Sequence, residues 1–308
     1  MRKIILVVTA ISAIILGGFL IWFLFRKQAT KSPVAKLEQL TTNKKITFQT
    51  LSGKEDSILY YDPAENKIFE FFLKENRQSP ISDLFLLVND IKWSPDAKKT
   101  ILKISNIQPA HAENPLYTTT LPEGEEATYF YEIGAKEPIL LSRNIQEVTW
   151  TADGQKIVYH YLDKAKGVNN LSIADPDGKN WKKIIDLKEE KVFLSTFPTG
   201  EIAYTASETT DSFSAIKTDG SGERTIKLPI LINVNKLAWA SDGKSLIAAV
   251  REQNKTTDTF YKINLETNQK QEIQYKSDTP IDAKNLMLTK DDKTLYFTSD
   301  DYLYKMKM

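Results

Sequence analysis

Side chains suited to chemistry are sparse in this chain of 308 residues, which has two histidines and no cysteine. His111 and His160 form no His-Glu-x-x-His or comparable ligand pair. No Gly-x-Ser-x-Gly nucleophile elbow occurs, and Gly220-Ser221-Gly222 reads as a hairpin turn. The segment Asp175-Pro176-Asp177-Gly178-Lys179-Asn180 starts like a calcium loop, with acids and an amide at alternating spacing, but Ile184 occupies the position of the bidentate glutamate. Without cysteine there are no disulfides and no thiolate metal sites. The reading is a chain with no catalytic residue, no cofactor and no metal.

The elements that carry these residues are set by one repeated phrase: an aromatic residue closing a strand, a Pro/Asp/Gly turn, and a second strand. It occurs at Ile91 to Ala97, Val148 to Gly154, Leu237 to Gly243 and, with Leu288 in the tryptophan slot, Leu286 to Asp292. A shorter copy lies at Phe193 to Tyr204 around Pro198-Thr199-Gly200. Trp93, Trp150, Trp239 and Leu288 are about 57, 89 and 49 residues apart, one unit of about 45 to 50 if the middle gap holds two. A second strand pair follows each phrase, at Thr128 to Leu141, Asn170 to Leu187, Phe213 to Leu228 and Thr259 to Ile273. β-Branched and aromatic residues suit a pleated surface, and Asp-Gly supplies the positive backbone dihedrals of tight turns. Asp153, Asp242 and Asp291 recur for the same reason, as turn formers. Four antiparallel strands per unit, arranged radially, predict an all-β propeller with the tryptophans between neighbouring blades.

The phrase from Trp93 to Ile101, with its variants from Trp150 to Ile157 and from Trp239 to Leu246, resembles the WD40-like repeat of the TolB-type β-propellers. Leu171 to Ile184 resembles the second half of that repeat. The resemblance covers about residues 45–308 and implies the fold. It implies little about activity, because the repeat occurs in periplasmic partners, surface proteins and the propeller halves of peptidases.

Six blades are expected, with seven as the alternative. A propeller closes its ring to avoid an exposed sheet edge, so the last blade is expected to take a strand from the N-terminal side, at Ile46 to Gln49 or its neighbour. The predicted propeller domain is 46–308.

Ahead of it, Ile4 to Phe25 is an uncharged run bracketed by Arg2-Lys3 and Arg26-Lys27. At 1.5 Å per residue it spans roughly 33 Å, enough for a bilayer core of about 30 Å. No small-residue cleavage site follows a short apolar region. Residues 1–27 are therefore expected to form a cytoplasmic tip and one retained transmembrane helix, and 28–45 a linker whose Val34, Leu37 and Leu40 fit one or two helical turns. Basic residues flank both ends of the run, so charge counting does not fix orientation. The short N-terminal tail and the TolB-type resemblance favour an extracytoplasmic propeller on a single-pass anchor.

Basic residues number 41 against 40 acidic, which leaves no footprint for nucleic acid. If tight turns gather on one side of the ring, the longer connections gather on the other, where binding tends to reside. The longest is Ser105 to Ala127. His111, Tyr117, Arg143, Asp163, Arg251 and Asp258 are the candidate contacts on that side. The expected function is a binding or scaffold module of the cell envelope for a protein, peptide or glycan partner. Alternatives are a propeller enzyme with a metal-assisted site at the central tunnel, and an assembly subunit whose helix pairs through Gly17-Gly18.

Overall fold

The repeated phrase folds as the hairpin its turn residues dictate. The carbonyls of Ser94, Thr151 and Ala240 accept the N–H groups of Ala97, Gly154 and Gly243 at 2.8, 2.8 and 2.9 Å. Gly154 and Gly243 sit at φ 66° and 64°, a conformation that a side chain would oppose. At Gly243 the space is also taken, since a Cβ would stand 2.6 Å from Thr199 Cγ2.

A computed structural model describes residues 34–42, 45–82, 88–105 and 126–308. The run Ile4 to Phe25, His111, Tyr117 and most of the long loop lie outside the described residues. Among the described residues no helix is long and apolar enough to cross a membrane.

The propeller unit spans Ala35–Met308. Its first strand in sequence, β1 (Lys36–Gln39), belongs to its last sheet. Blade one comprises β2 (Thr47–Leu51), β3 (Ser57–Asp62), β4 (Lys67–Phe72) and β5 (Arg77–Pro80). Blade two comprises β6 (Val88–Trp93), β7 (Lys99–Ser105), β8 (Glu126–Glu132) and β9 (Ile139–Leu140). Blade three comprises β10 (Ile145–Trp150), β11 (Ile157–Asp163), β12 (Val168–Ala174) and β13 (Lys182–Asp186). Blade four comprises β14 (Phe193–Thr196), β15 (Ile202–Thr205), β16 (Thr209–Ile216) and β17 (Arg224–Asn233). Blade five comprises β18 (Leu237–Trp239), β19 (Ser245–Val250), β20 (Thr259–Asn264) and β21 (Gln269–Ile273). Blade six comprises β22 (Lys284–Leu288), β23 (Thr294–Ser299), β24 (Tyr302–Lys307) and, as its outer strand, β1. All six sheets have four antiparallel strands. The count of six holds, and seven does not.

Closure uses a strand from the N-terminal side, as expected, but not the strand at Ile46 to Gln49. β1 pairs with β24 from Lys36 opposite Lys307 to Gln39 opposite Tyr304. The closing strand therefore comes from the segment read as a linker, and Ile46 to Gln49 instead begins the inner strand of blade one. Val34, Leu37 and Leu40 were expected on a helical turn. Leu37 is in fact a strand residue packed among Phe260, Phe297 and Met306, and Leu40 packs among Ile46, Tyr60 and Leu303. An exposed edge on β24 costs more than the weak helical patch could return, so the sheet takes the segment.

The core lies between blades. One cluster joins Tyr61 and Ile68 of blade one to Ile91, Leu102 and Tyr131 of blade two. Another joins Phe197, Phe213 and Ile226 of blade four to Leu246, Tyr261 and Ile263 of blade five. Each such side chain contributes about 1.5 to 3 kcal/mol on full burial. Phe197 meets Trp239 at 4.2 Å between ring centroids across that boundary. Strand directions put every inner hairpin turn, and every turn between third and fourth strands, on one side of the ring. The connections from second to third strands and from blade to blade emerge on the other, the loop side.

Candidate functional site

The six inner strands β2, β6, β10, β14, β18 and β22 surround a central channel of about 870 Å³. The tryptophan slot fixes their spacing. Trp93 Nε1 donates to the Phe48 carbonyl at 2.5 Å, Trp150 Nε1 to the Lys92 carbonyl at 2.8 Å, and Trp239 Nε1 to Ser195 Oγ at 2.6 Å. Each bond runs from one blade to the inner strand of the blade before it. In blade four Thr196 fills the slot and donates to the Trp150 carbonyl at 2.5 Å. Gln49 Nε2 extends the series from blade one to the Asn285 carbonyl of blade six at 3.0 Å. The tryptophans expected between blades are there, and their indole N–H groups, not only their rings, make the junctions.

β-Bulges interrupt four of these inner strands, β2, β6, β10 and β22. Phe48 and Asn285 take positive φ values of 51° and 50° at two of them. Both offer the carbonyl that accepts a neighbouring blade's side chain, so the irregular backbone is used to turn an acceptor across a blade boundary.

Charge in the channel is concentrated where blades two and three meet. Lys92 Nζ lies 3.2 Å from Asp90 and 3.3 Å from Glu147 Oε1, and Lys103 Nζ lies 3.8 Å from Glu147 Oε2. Burial pushes the Lys92 ammonium toward the neutral form, but the Glu147 and Asp90 carboxylates more than offset it and raise its pKa. The lysine is a fixed cation and no proton acceptor. Asp90 and Glu147 share that ammonium, so their donor set does not suit a metal ion. Among the described residues no three His, Asp or Glu side chains converge on a possible metal position. What the channel offers is an exchangeable set of ionic and hydrogen-bonding groups beside Trp93 and Trp150.

The candidates chosen from loop position fare differently. Asp258 and Arg251 are brought together at 2.7 Å, but not as a contact surface. The Asp258 side chain has 0% exposure. Its Oδ2 accepts from Lys236 Nζ at 2.9 Å and from the Ala283 N–H at 2.8 Å, and Arg251 continues to Asp282 at 2.9 Å. This network ties the crossings on either side of blade five, and Asp258 is a correction to the contact list. Asp163 is a second one: it is buried, and Oδ1 accepts the Lys166 N–H at 3.2 Å as a turn former. Arg143 is exposed on the crossing from β9 to β10. His160 is fully buried, with Nε2 2.8 Å from Asn169 Oδ1 and with Nδ1 unpartnered. Burial holds its pKa down, against the smaller opposing effects of Asn169 and Glu147.

Sequence reasoning missed Asp90, Lys92 and Glu147. Their signal was the alternation Asp90-Ile91-Lys92, which places both charges on one side of a strand already assigned to the inside of a blade.

No family model matches the chain, and no curated protein matches it. Solved structures do match in fold. An oligogalacturonate lyase in complex with manganese aligns with TM-score 0.54 and 13% identity, over 88% of this chain and 79% of that one. A Bacteroides thetaiotaomicron protein of unknown function aligns with TM-score 0.57 and 9% identity, over 88% and 75%. TolB from Acinetobacter baumannii aligns with TM-score 0.51 and 11% identity, over 86% of this chain and 64% of that one. The fold is a six-bladed, TolB-like propeller. At these identities the likeness concerns architecture, and its bearers include both an enzyme and TolB.

Proposed function

We propose that this chain is a membrane-anchored β-propeller of the cell envelope that recognises a protein, peptide or glycan partner at the channel and the loop side of its ring. The observation that carries this reading is the Asp90, Lys92 and Glu147 set in the open channel. Its lysine is held protonated, so the groups suit ionic and hydrogen-bonding recognition better than proton transfer. The uncharged run Ile4 to Phe25 supports the anchor. Loops on a rigid ring support recognition on the side where connections are longest. A bulky plug at the channel mouth tests it: Asn235→Trp in the full chain is expected to lower partner recovery from envelope extracts, while Lys98→Trp on the turn side leaves recovery unchanged. Equal recovery from both variants would refute channel-mouth recognition.

A further inference from the structure

We propose that Asn254 is an acceptor for N-linked glycosylation, taking an oligosaccharide from a polyprenyl-diphosphate donor. The inference rests on the extracytoplasmic reading above, because such transfer takes place on that side of a membrane, and it adds a covalent modification to the loop side of the ring.

The acceptor signal is Asn-x-Ser/Thr with any residue but proline in the middle, and it belongs on an accessible loop. The chain carries the signal twice, at Asn170-Leu171-Ser172 and at Asn254-Lys255-Thr256. The fold separates the two. Asn170 and Ser172 lie in β12, 5% and 2% exposed, and Ser172 Oγ donates to Asn170 Oδ1 at 2.8 Å. That strand is paired with β11 on one side and β13 on the other, so the Asn170 amide is closed to an enzyme in the folded protein.

Asn254 and Thr256 are instead exposed, on the connection from β19 to β20. The neck of this loop is clamped, since Arg251 Nε donates to Asp258 Oδ1 at 2.7 Å and the Asp258 N–H donates to the Ile281 carbonyl at 2.8 Å. At the tip the Lys255 N–H donates to the Glu252 carbonyl at 3.1 Å, which folds a turn with Asn254 at φ 67°. Asparagine adopts that conformation more readily than most side chains do. Among the described residues neither the Asn254 amide nor the Thr256 hydroxyl has a hydrogen-bond partner. The two groups that a transferase engages, the amide nitrogen and the hydroxyl two residues on, therefore stand free at the tip of a clamped loop. Glu252, two residues ahead of Asn254, also meets the stricter signal of bacterial transferases, which adds an acidic residue at that place.

The step balances without a redox partner. Asn254 Nδ2 forms a bond to the anomeric carbon of the donor's first sugar as the bond from that carbon to the diphosphate oxygen breaks. The diphosphate leaves with the electron pair, and the amide proton passes to a carboxylate of the transferase.

The test uses the full chain, folded and detergent-solubilised, with a bacterial oligosaccharyltransferase and a polyprenyl-diphosphate heptasaccharide, and mass spectrometry of its peptides as the readout. One glycan per chain is expected, on the peptide containing Asn254, with none on Asn170. Asn254→Gln and Thr256→Ala should each abolish it while keeping the unfolding midpoint of the unsubstituted chain. A chain bare at Asn254, beside a control acceptor peptide modified in the same tube, overturns the proposal. So does full modification of Thr256→Ala, because the signal would then not be what the enzyme reads. The extracytoplasmic reading is tested separately by T256C, which places a single thiol in a chain without cysteine. A thiol that a membrane-impermeant maleimide labels after lysis but not in intact cells refutes that reading, whatever the purified chain accepts.

Discussion

The indole of Trp93 in blade two donates to the carbonyl oxygen of Phe48 in blade one, and Phe48 holds that carbonyl in place from a left-handed backbone at φ 51°. A non-glycine residue at positive φ is costly unless its surroundings fix it. Here the fixing partner belongs to the next blade, so local strain and ring assembly are coupled.

The same junction recurs at Trp150, which is almost fully buried and donates to the Lys92 carbonyl. Trp150→Phe keeps most of the ring volume and removes the donor, so it should cost about 1 to 2 kcal/mol. Trp150→Ala adds a cavity and should cost about 3 to 5 kcal/mol. Guanidinium unfolding with an unchanged slope and a lowered midpoint is the measurement. An unchanged midpoint for Trp150→Phe would show that the bond contributes nothing.

Asp258 predicts a larger loss than its loop position suggests. Asp258→Asn removes the buried carboxylate and leaves Lys236 and Arg251 only the part-exposed Asp282, which should cost about 1.5 to 3 kcal/mol. A double-mutant cycle of Asp258→Asn with Lys236→Met should recover part of that loss, because the stranded cation is removed too. Strict additivity in urea midpoints would count against the network.

His160 predicts a pH dependence with a definite sign. Burial lowers its folded pKa below the unfolded value near 6.5, so the unfolded chain binds the proton more readily. The neutral imidazole's contribution is present above the unfolded pKa and is lost as pH falls from there through the folded pKa. Glu147 faces it across the β10–β11 pair, with Lys103 and Lys92 bound to that carboxylate, and does not cancel the effect. Unfolding midpoints should drop between pH 7 and 5 with a slope of up to about 1.4 kcal/mol per pH unit. His160→Gln should lack this component; equal slopes in both proteins would contradict it.

Ring closure predicts a sharp truncation boundary. A chain beginning at residue 35 keeps β1 and should unfold cooperatively, whereas one beginning at residue 46 leaves the edge of β24 unpaired. The shorter chain is expected to aggregate or to lose its single transition. A cooperative, monomeric chain from residue 46 would refute the role of Lys36–Gln39.

Which features were legible in the sequence follows from how each is encoded. Trp93, Trp150 and Trp239 announce their hairpins because the tryptophan slot and turn residues are local and repeated. Leu51 and Thr196 fill the same slot without an indole, so blade one and the shortened blade four speak more faintly. β1 was unreadable as a strand because its four residues, mostly exposed, acquire meaning only when β24 arrives from the far end of the chain. Asp258 looked like a solvated loop residue because its partners, the Lys236 ammonium and the Ala283 N–H, stand on separate crossings. The channel set was hidden for another reason. Asp90, Lys92 and Glu147 stand inside strands, and only the closed ring shows that their side chains face a channel.

The central claim is that recognition takes place at the channel mouth and loop side, and photo-crosslinking in intact cells tests it most directly. A photoreactive side chain is placed at Asn235, at the loop-side mouth, or at Lys98, on the turn side, in the full-length chain. The account predicts discrete covalent adducts with an envelope partner from position 235 and none from position 98. Adducts from position 98 alone would contradict it.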